Sequence, residues 1–187
     1  LVRLLRRWKS RWRALWFRPG AQSNDSGQLF SPALVDTGLA REINRGHWDL
    51  VVLHWLGNRT LSINEVARLR HPVAWHLHDM WLFCGAEHIA TDERYLTGYP
   101  RQGSAPIDVN TKAYQRKKRA WSNKYFHVIT PSRWLAGESS RSDLGSGWPT
   151  HVVPNTLDRD FWAPTSEARP EKLGAISHDE VLIVAGL

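Results

Sequence analysis

The sequence lacks the features that define several large classes of protein. One cysteine, Cys84, in 187 residues excludes an internal disulfide framework and any zinc site built on several cysteines, and it fits a reducing compartment such as the cytoplasm. No apolar run approaches the roughly 20 residues that a membrane-spanning helix needs. The chain contains no P-loop, G-x-G-x-x-G or C-x-x-C motif. An apolar fraction of 42% still allows an ordinary globular core.

Acidic residues are absent from the first 18 positions, although the chain has 18 Asp and Glu against 25 Lys and Arg. The net charge of +7 equals the number of basic residues in this segment: Arg3, Arg6, Arg7, Lys9, Arg11, Arg13 and Arg18. Apolar residues recur on one helical stripe: Leu1, Leu4, Leu5, Trp8, Trp12, Leu15 and Trp16. The pattern predicts a basic amphipathic helix over residues 1–20, ending at Pro19-Gly20. Its stripe either packs on its own domain or docks peripherally on an anionic membrane.

Four short apolar runs alternate with helical patterns along the remainder of the chain. The runs cover residues 50–55, 72–77, 125–129 and 150–153, and the helical patterns cover 33–45, 62–70, 110–124 and 130–145. Ser62 and Glu65 form a capping-box sequence, and Thr130 with Pro131 is a helix-start sequence. Strands that alternate with helices indicate an α/β fold: a Rossmann-like parallel sheet with flanking helices.

The domain organisation follows from shifts in composition. We expect a partial Rossmann-like domain over residues 21–162, a polar linker over 163–179 and the first strand of a further domain over 180–187. We also expect the 187 residues to be a piece of a longer protein, because the last run is an apolar strand with nothing after it.

Polar and aromatic residues follow the predicted strands at their carboxyl ends, where open α/β sheets bind ligands. His78 and Asp79 are the predicted catalytic residues. The predicted substrate-binding residues are Trp81, Glu87, His88, Thr130, Ser132, Arg133, Asn155 and Asp158. Trp faces stack on sugar rings and the polar groups bind hydroxyls, so this mixture indicates a sugar site.

Several of these residues also have a purely structural interpretation. Asp79 is expected to act alternatively as a turn residue, and Thr130 and Ser132 as helix caps. His54 and His76 are predicted to be core histidines within strands. Trp134 is predicted to be a core residue, and Cys84 a small buried filler.

The residues also bear on two other functional classes, a metal protein and a nucleic-acid-binding protein. His76, His78, Glu87 and His88 offer metal ligands, but they match no known ligand spacing, so no metal site is predicted. The two basic helices with interleaved Trp make a nucleic-acid-binding or structural α/β module the alternative function.

The order of the motifs resembles a family of bacterial enzymes, the GT-B-fold retaining glycosyltransferases of family 4. The matching stretches are LVVLHWL at 50–56, PVAWHLHDMW at 72–81, CGAEH at 84–88, RKKRAW at 116–121, TPSRWLA at 130–136 and VVPNTLD at 152–158. They span most of the chain. One departure is Thr156, where usual members have glycine.

The resemblance implies the acceptor-side domain of an enzyme with two Rossmann-like domains. Such an enzyme moves a hexosyl group from a nucleotide-sugar to a hydroxyl of a glycan or lipid-linked acceptor, with retention of configuration and no cofactor or obligatory metal. His78 matches the family's histidine that faces the donor sugar. Asn155 and Asp158 match the segment near the domain crossover. The resemblance further implies a cytoplasmic enzyme of polysaccharide biosynthesis whose donor-binding domain lies outside these 187 residues, so that they are inactive alone.

The basic helix generates a prediction about membranes. If the helix docks on an anionic surface, each cation contributes on the order of 1 kcal/mol, and salt weakens this attraction. The protein should then sediment with anionic vesicles at low salt and be released at high salt. Replacing Arg3, Arg6, Arg7 and Arg11 by Gln should also abolish sedimentation. Failure to sediment at low salt, or sedimentation unaffected by the four substitutions, would exclude the membrane role.

Overall fold

The computed structural model describes residues 30–56, 60–100 and 107–158. The predicted helix over 1–20, the linker over 163–179 and the strand over 180–187 lie outside these residues. In chain order the elements are α1 (Leu39–Ile43), β1 (Val51–His54), α2 (Ile63–Ala67), β2 (Val73–His76), α3 (Arg94–Thr97), α4 (Val109–Ala120), β3 (Phe126–Thr130), α5 (Arg133–Arg141) and β4 (Thr150–Val152). Each of the four strands predicted within the described residues is present within two residues of its predicted ends.

The four strands form one all-parallel sheet in the order β1-β2-β3-β4. A parallel pair needs a crossover connection, and α2, α4 and α5 lie in the three connections. The predicted α/β, Rossmann-like fold with flanking helices is therefore confirmed.

One face of this sheet carries the hydrophobic core. Leu53, Trp75 and Val128 occupy registered positions on it and are at most 5% exposed. They belong to one buried cluster with Ile63 and Val66 of α2, Tyr114 of α4 and Leu135 of α5. The core lies on one face because of the topology. When each new strand is added on the same side of the sheet, right-handed crossovers place all their helices on one face.

The other face of the sheet is open and rich in histidine. Its registered rows contain Val52, Ala74 and His127, and then His54, His76, Ile129 and His151. Of these seven only Ala74 is buried, and Val52, at the sheet edge, is 46% exposed. The prediction that His54 and His76 are core histidines is wrong, because the described helices pack on the opposite face.

The predicted helix over residues 33–45 is also wrong in extent, since α1 is only five residues long. Gly38 precedes it with a φ of 94°, a left-handed conformation that glycine adopts without strain. The buried carboxylate of Glu65 accepts hydrogen bonds from the backbone N–H groups of Thr37 and Gly38, at 2.8 and 2.6 Å. These donors are satisfied by a side chain, so the chain turns here.

Two helix starts can be compared with their predictions. The capping box at Ser62 and Glu65 is confirmed, with both reciprocal hydrogen bonds present. The cap of α5 is Ser132 and not the predicted Thr130, because Ser132 Oγ accepts from the N–H of Leu135 while Thr130 belongs to β3. The helix therefore begins two residues later than its Pro131 suggests.

The chain divides into two compact units, Leu1–Pro154 and Asn155–Leu187. The four described residues of the second unit, 155–158, are exposed and belong to no helix or strand. None of the helices in the described ranges is long and apolar enough to cross a membrane.

Glu65 provides the first structural prediction. It is 1% exposed and binds three backbone N–H groups, those of Thr37, Gly38 and Ser62. Glu65→Gln replaces one acceptor oxygen by a donor, so we expect the free energy of unfolding to fall by about 2 kcal/mol. Urea unfolding measures this loss.

Glu42→Gln is the matched control, because Glu42 forms a surface ion pair with Arg45 at 2.8 Å. Its effect should stay below about 1 kcal/mol. Equal effects of the two substitutions would refute the bracing role of Glu65.

Candidate functional site

The candidate site lies at the carboxyl edge of the sheet, where β1 and β2 end side by side. His54 closes β1 and is the register partner of His76, which closes β2. His78 and Asp79 follow within three residues, so the loop after β2 begins beside the end of β1. The predicted catalytic residues therefore lie at the edge where open α/β sheets bind ligands.

Three histidine rings meet at this edge. His54 Nδ1 lies 3.0 Å from His78 Nε2, so one nitrogen donates a hydrogen bond and the other accepts it. The ring centroid of His76 lies 4.7 Å from that of His78 and 4.9 Å from that of His54. Burial first, and then the neighbouring His78 and His54, lower the pKa of His76, which favours its neutral form. These imidazoles are the described groups best suited to hold a metal ion.

Asp79 is held within the loop rather than open to solvent. Its Oδ2 lies 2.5 Å from Nδ1 of His88, and its Oδ1 accepts from the N–H of Trp81 at 2.9 Å. His88 in turn contacts Ser31 through Nε2, at 2.8 Å, and the indole Nε1 of Trp55 lies 3.2 Å from its Nδ1. Asp79 thus closes a turn, as its structural interpretation anticipated, and it also holds the loop that carries His78.

Glu87 lies deeper in the same loop and is 2% exposed. The hydroxyl of Tyr99 donates to its Oε1, while its buried Oε2 has no hydrogen-bond partner among the described residues. Burial, and then the neighbouring Cys84 and Glu87, raise the pKa of the Tyr99 hydroxyl, which stays protonated and able to donate. Glu87, His88 and Trp81 were predicted to bind substrate, and all three are buried, so that role stays a prediction.

A residue that the sequence analysis did not assign, Lys117 of α4, supports the loop from within. It is fully buried, and its ammonium group donates to the carbonyl oxygens of Trp81, Cys84 and Gly85. It also lies 3.6 Å from the centre of the Trp81 ring, a cation–π contact. Burial lowers the pKa of Lys117, whereas the surrounding Cys84, Glu87 and Asp79 oppose this shift.

The helical periodicity of α4 indicates that Lys117 lies on its buried side. Ala113, Lys117 and Trp121 are spaced four residues apart, so Lys117 falls on the stripe of α4 whose other members are buried. A lysine on an apolar stripe needs buried acceptors. A second unassigned residue, Trp55, directly follows β1 and leaves 39% of its surface exposed beside His88.

The predicted substrate-binding residues at the end of β3 and the start of α5 differ in burial and in their contacts. Thr130 is fully buried and donates to the carbonyl oxygens of Ser132 and His151, at 3.1 and 3.4 Å. Ser132 caps α5, and Arg133 is exposed on its first turn. Ser132 thus has the helix-cap role of its structural alternative, whereas Thr130 does not cap α5. The substrate-binding role of both residues stays a prediction.

The remaining sequence candidates are distributed as follows. Asn155 and Asp158 are exposed and belong to the second unit. Trp134 is 62% exposed, so its prediction as a core residue is wrong: its neighbour Leu135 supplies the buried side of α5. Cys84 is fully buried, as predicted for a filler, and burial raises the pKa of its thiol, which makes it a poor nucleophile.

A groove of about 880 Å³ lies along α4. Three basic side chains line it, those of Lys112, Arg116 and Arg119, together with polar and apolar groups at Asn64, Tyr99, Pro100 and Ile107. A groove of this charge suits an anionic ligand.

No protein-family profile, no curated protein and no solved structure matches this chain.

The buried lysine generates the second structural prediction. Lys117→Met keeps the apolar stem but leaves three buried carbonyl groups without a donor. Each such group costs about 1–3 kcal/mol, so we expect the free energy of unfolding to fall by at least about 3 kcal/mol. Chemical denaturation followed by Trp fluorescence measures the loss.

Lys118→Met is the control one residue away. Lys118 is 54% exposed and pairs with Asp143 at 2.9 Å, a surface ion pair worth at most about 1 kcal/mol. Equal free energies of unfolding for the two variants would contradict the role of Lys117 in stabilising the loop.

Proposed function

We propose that the protein is a glycosyltransferase that moves a hexosyl group from a nucleotide-sugar to a hydroxyl of a glycan or lipid-linked acceptor, with retention of configuration. In this reaction the bond from the anomeric carbon to the diphosphate breaks, and the leaving phosphate oxygen keeps the electron pair. The acceptor oxygen forms the new bond and loses its proton. The motifs that resemble retaining family 4 enzymes support the proposal, and so does the placement of one residue, His78.

The placement of His78 is the observation that carries the proposal. It is exposed, it follows the end of β2, and the sheet is wholly parallel, so its imidazole stands where such sheets bind substrates. Its Nε2 is already hydrogen-bonded to His54, which limits rotation of the ring. An oriented imidazole can hydrogen-bond a donor-sugar hydroxyl without acting as nucleophile.

The loop after β2 gives His78 a rigid support. The Asp79–His88 contact and the donation by Lys117 to three carbonyl groups hold the residues that follow it. Such internal braces favour catalysis, because a pre-positioned group needs no reorganisation when the substrate binds. Asp79 is a positioning residue in this scheme.

The exposed indole of Trp55 extends the site for a sugar. Its Nε1 lies 3.2 Å from Nδ1 of His88, and 39% of the residue is exposed beside the loop that carries His78. An aromatic face of this kind stacks on the apolar face of a pyranose ring. We assign it to the acceptor or donor sugar, alongside the polar residues predicted from the sequence.

The remainder of the proposal follows the resemblance. The substrates are the nucleotide-sugar and the acceptor, no cofactor is required, and the enzyme is bacterial and cytoplasmic, with peripheral contact to an anionic membrane as the role of the basic helix. A separate domain supplies the donor-binding residues. The activity assay therefore uses the complete gene product.

His78→Ala should lower kcat for sugar transfer by at least about 100-fold, the loss typical of removing one oriented hydrogen-bonding group. The stability should hardly change, because His78 is exposed. Release of the nucleoside diphosphate from a panel of nucleotide-sugars, measured with and without acceptor glycans, gives the rate.

His127→Ala is the matched control. His127 is an exposed histidine of the same sheet that lies at the start of β3, away from the carboxyl edge, and its loss should leave kcat unchanged. Equal rates in the wild type and His78→Ala would contradict the role of His78.

The alternative function is that of a nucleic-acid-binding or structural α/β module. The basic groove along α4 favours it, because three cationic side chains could contact phosphates. Absence of sugar transfer, together with salt-dependent binding of an oligonucleotide that Arg119→Glu weakens, would replace the proposed function by this one.

A further inference from the structure

The three histidines at the sheet edge form a compact triangle. The ring centroids are 4.7, 4.9 and 5.3 Å apart for the pairs His76–His78, His54–His76 and His54–His78. One ring nitrogen from each lies within 4.8 Å of the other two. The parallel register contributes to this closeness, because His54 and His76 are directly paired, and His78 follows two residues after the end of β2.

We propose that His54, His76 and His78 bind a divalent transition-metal ion of the zinc type. Zinc binds imidazole nitrogen at about 2.0–2.1 Å in tetrahedral geometry, which places neighbouring ligand atoms about 3.4 Å apart. The His54–His78 nitrogens, at 3.0 Å, already approach this separation. One nitrogen of each ring lies within 4.8 Å of the other two, so the rings need to turn toward each other to bind one ion.

The chemistry of the ligands selects the ion. Three imidazoles suit Zn²⁺, Co²⁺ or Ni²⁺, whereas Mg²⁺ and Ca²⁺ prefer oxygen ligands. The buried Nε2 of His76 has no hydrogen-bond partner among the described residues, whereas most buried polar atoms in proteins have one. His76 is thus the one member of the triangle with an unsatisfied buried nitrogen.

The exposure of the triangle leaves room for a fourth ligand. His54 and His78 are exposed and His76 is half-buried, so solvent reaches the metal from the open side. Three protein ligands with one open position are the arrangement in which zinc binds water or substrate. The binding does not depend on the proposed sugar transfer, because it needs only the three histidines and no substrate.

Titration of the protein with Zn²⁺ by isothermal calorimetry tests the site. We expect one Zn²⁺ per chain, and the same site should give Co²⁺ the visible absorption of tetrahedral coordination. His54→Ala and His76→Ala should each weaken the affinity at least about tenfold, since even residues behind the ligands contribute that much at metal sites. Because His54 is exposed, its alanine variant leaves no cavity, and near-ultraviolet circular dichroism of the Trp residues checks its fold.

His127→Ala is the matched control, a histidine on the same open face outside the triangle. It should bind zinc as the wild type does. The proposal is overturned if the wild type binds no zinc up to millimolar concentration. It is also overturned if His54→Ala and His76→Ala still bind zinc normally, or if His127→Ala loses it equally.

Discussion

The one-directional winding of the sheet is the constraint on which the rest of this structure depends. Each strand is added beside the previous one, so the crossover helices α2, α4 and α5 all contribute to a single core. That core buries large aromatic side chains, and the ring centroids of Trp75 and Trp121 lie 5.8 Å apart in it. The same winding leaves the opposite face to the histidines. The position of the core and the character of the site thus have a common cause.

The loop between β2 and α3 shows how buried charge can serve a site without touching a ligand. Lys117 and Glu87 lie inside it, and their partners are carbonyl groups and a tyrosine hydroxyl. Burying such groups is costly unless each is hydrogen-bonded, so the network tolerates few alternative loop conformations. The exposed His78 gains a defined orientation from interactions made beneath it. The candidate chemistry and the stability of the fold are therefore coupled in this loop.

Sequence reasoning succeeded where the pattern was local. The strands, the capping box at Ser62 and the buried Cys84 follow from runs or short motifs, and the structure confirms them. It failed where a distant residue decided the outcome. The helix expected from residue 33 is cut short because Glu65, 27 positions beyond Gly38, binds the backbone donors that the helix would have used. Trp134 has the composition of a core residue, but it lies on the outer side of α5.

The sequence by itself determined the alternation of strands and helices, and with it the parallel sheet and the edge at which His78 and Asp79 lie. Periodicity is a property of neighbouring residues, and it needs no knowledge of the partner element. Only the tertiary structure decided that His54 joins His76 and His78, that Asp79 is held by His88, and that Lys117 braces the loop. Those contacts depend on strand register and on burial, which bring together residues that are up to 36 positions apart in the chain.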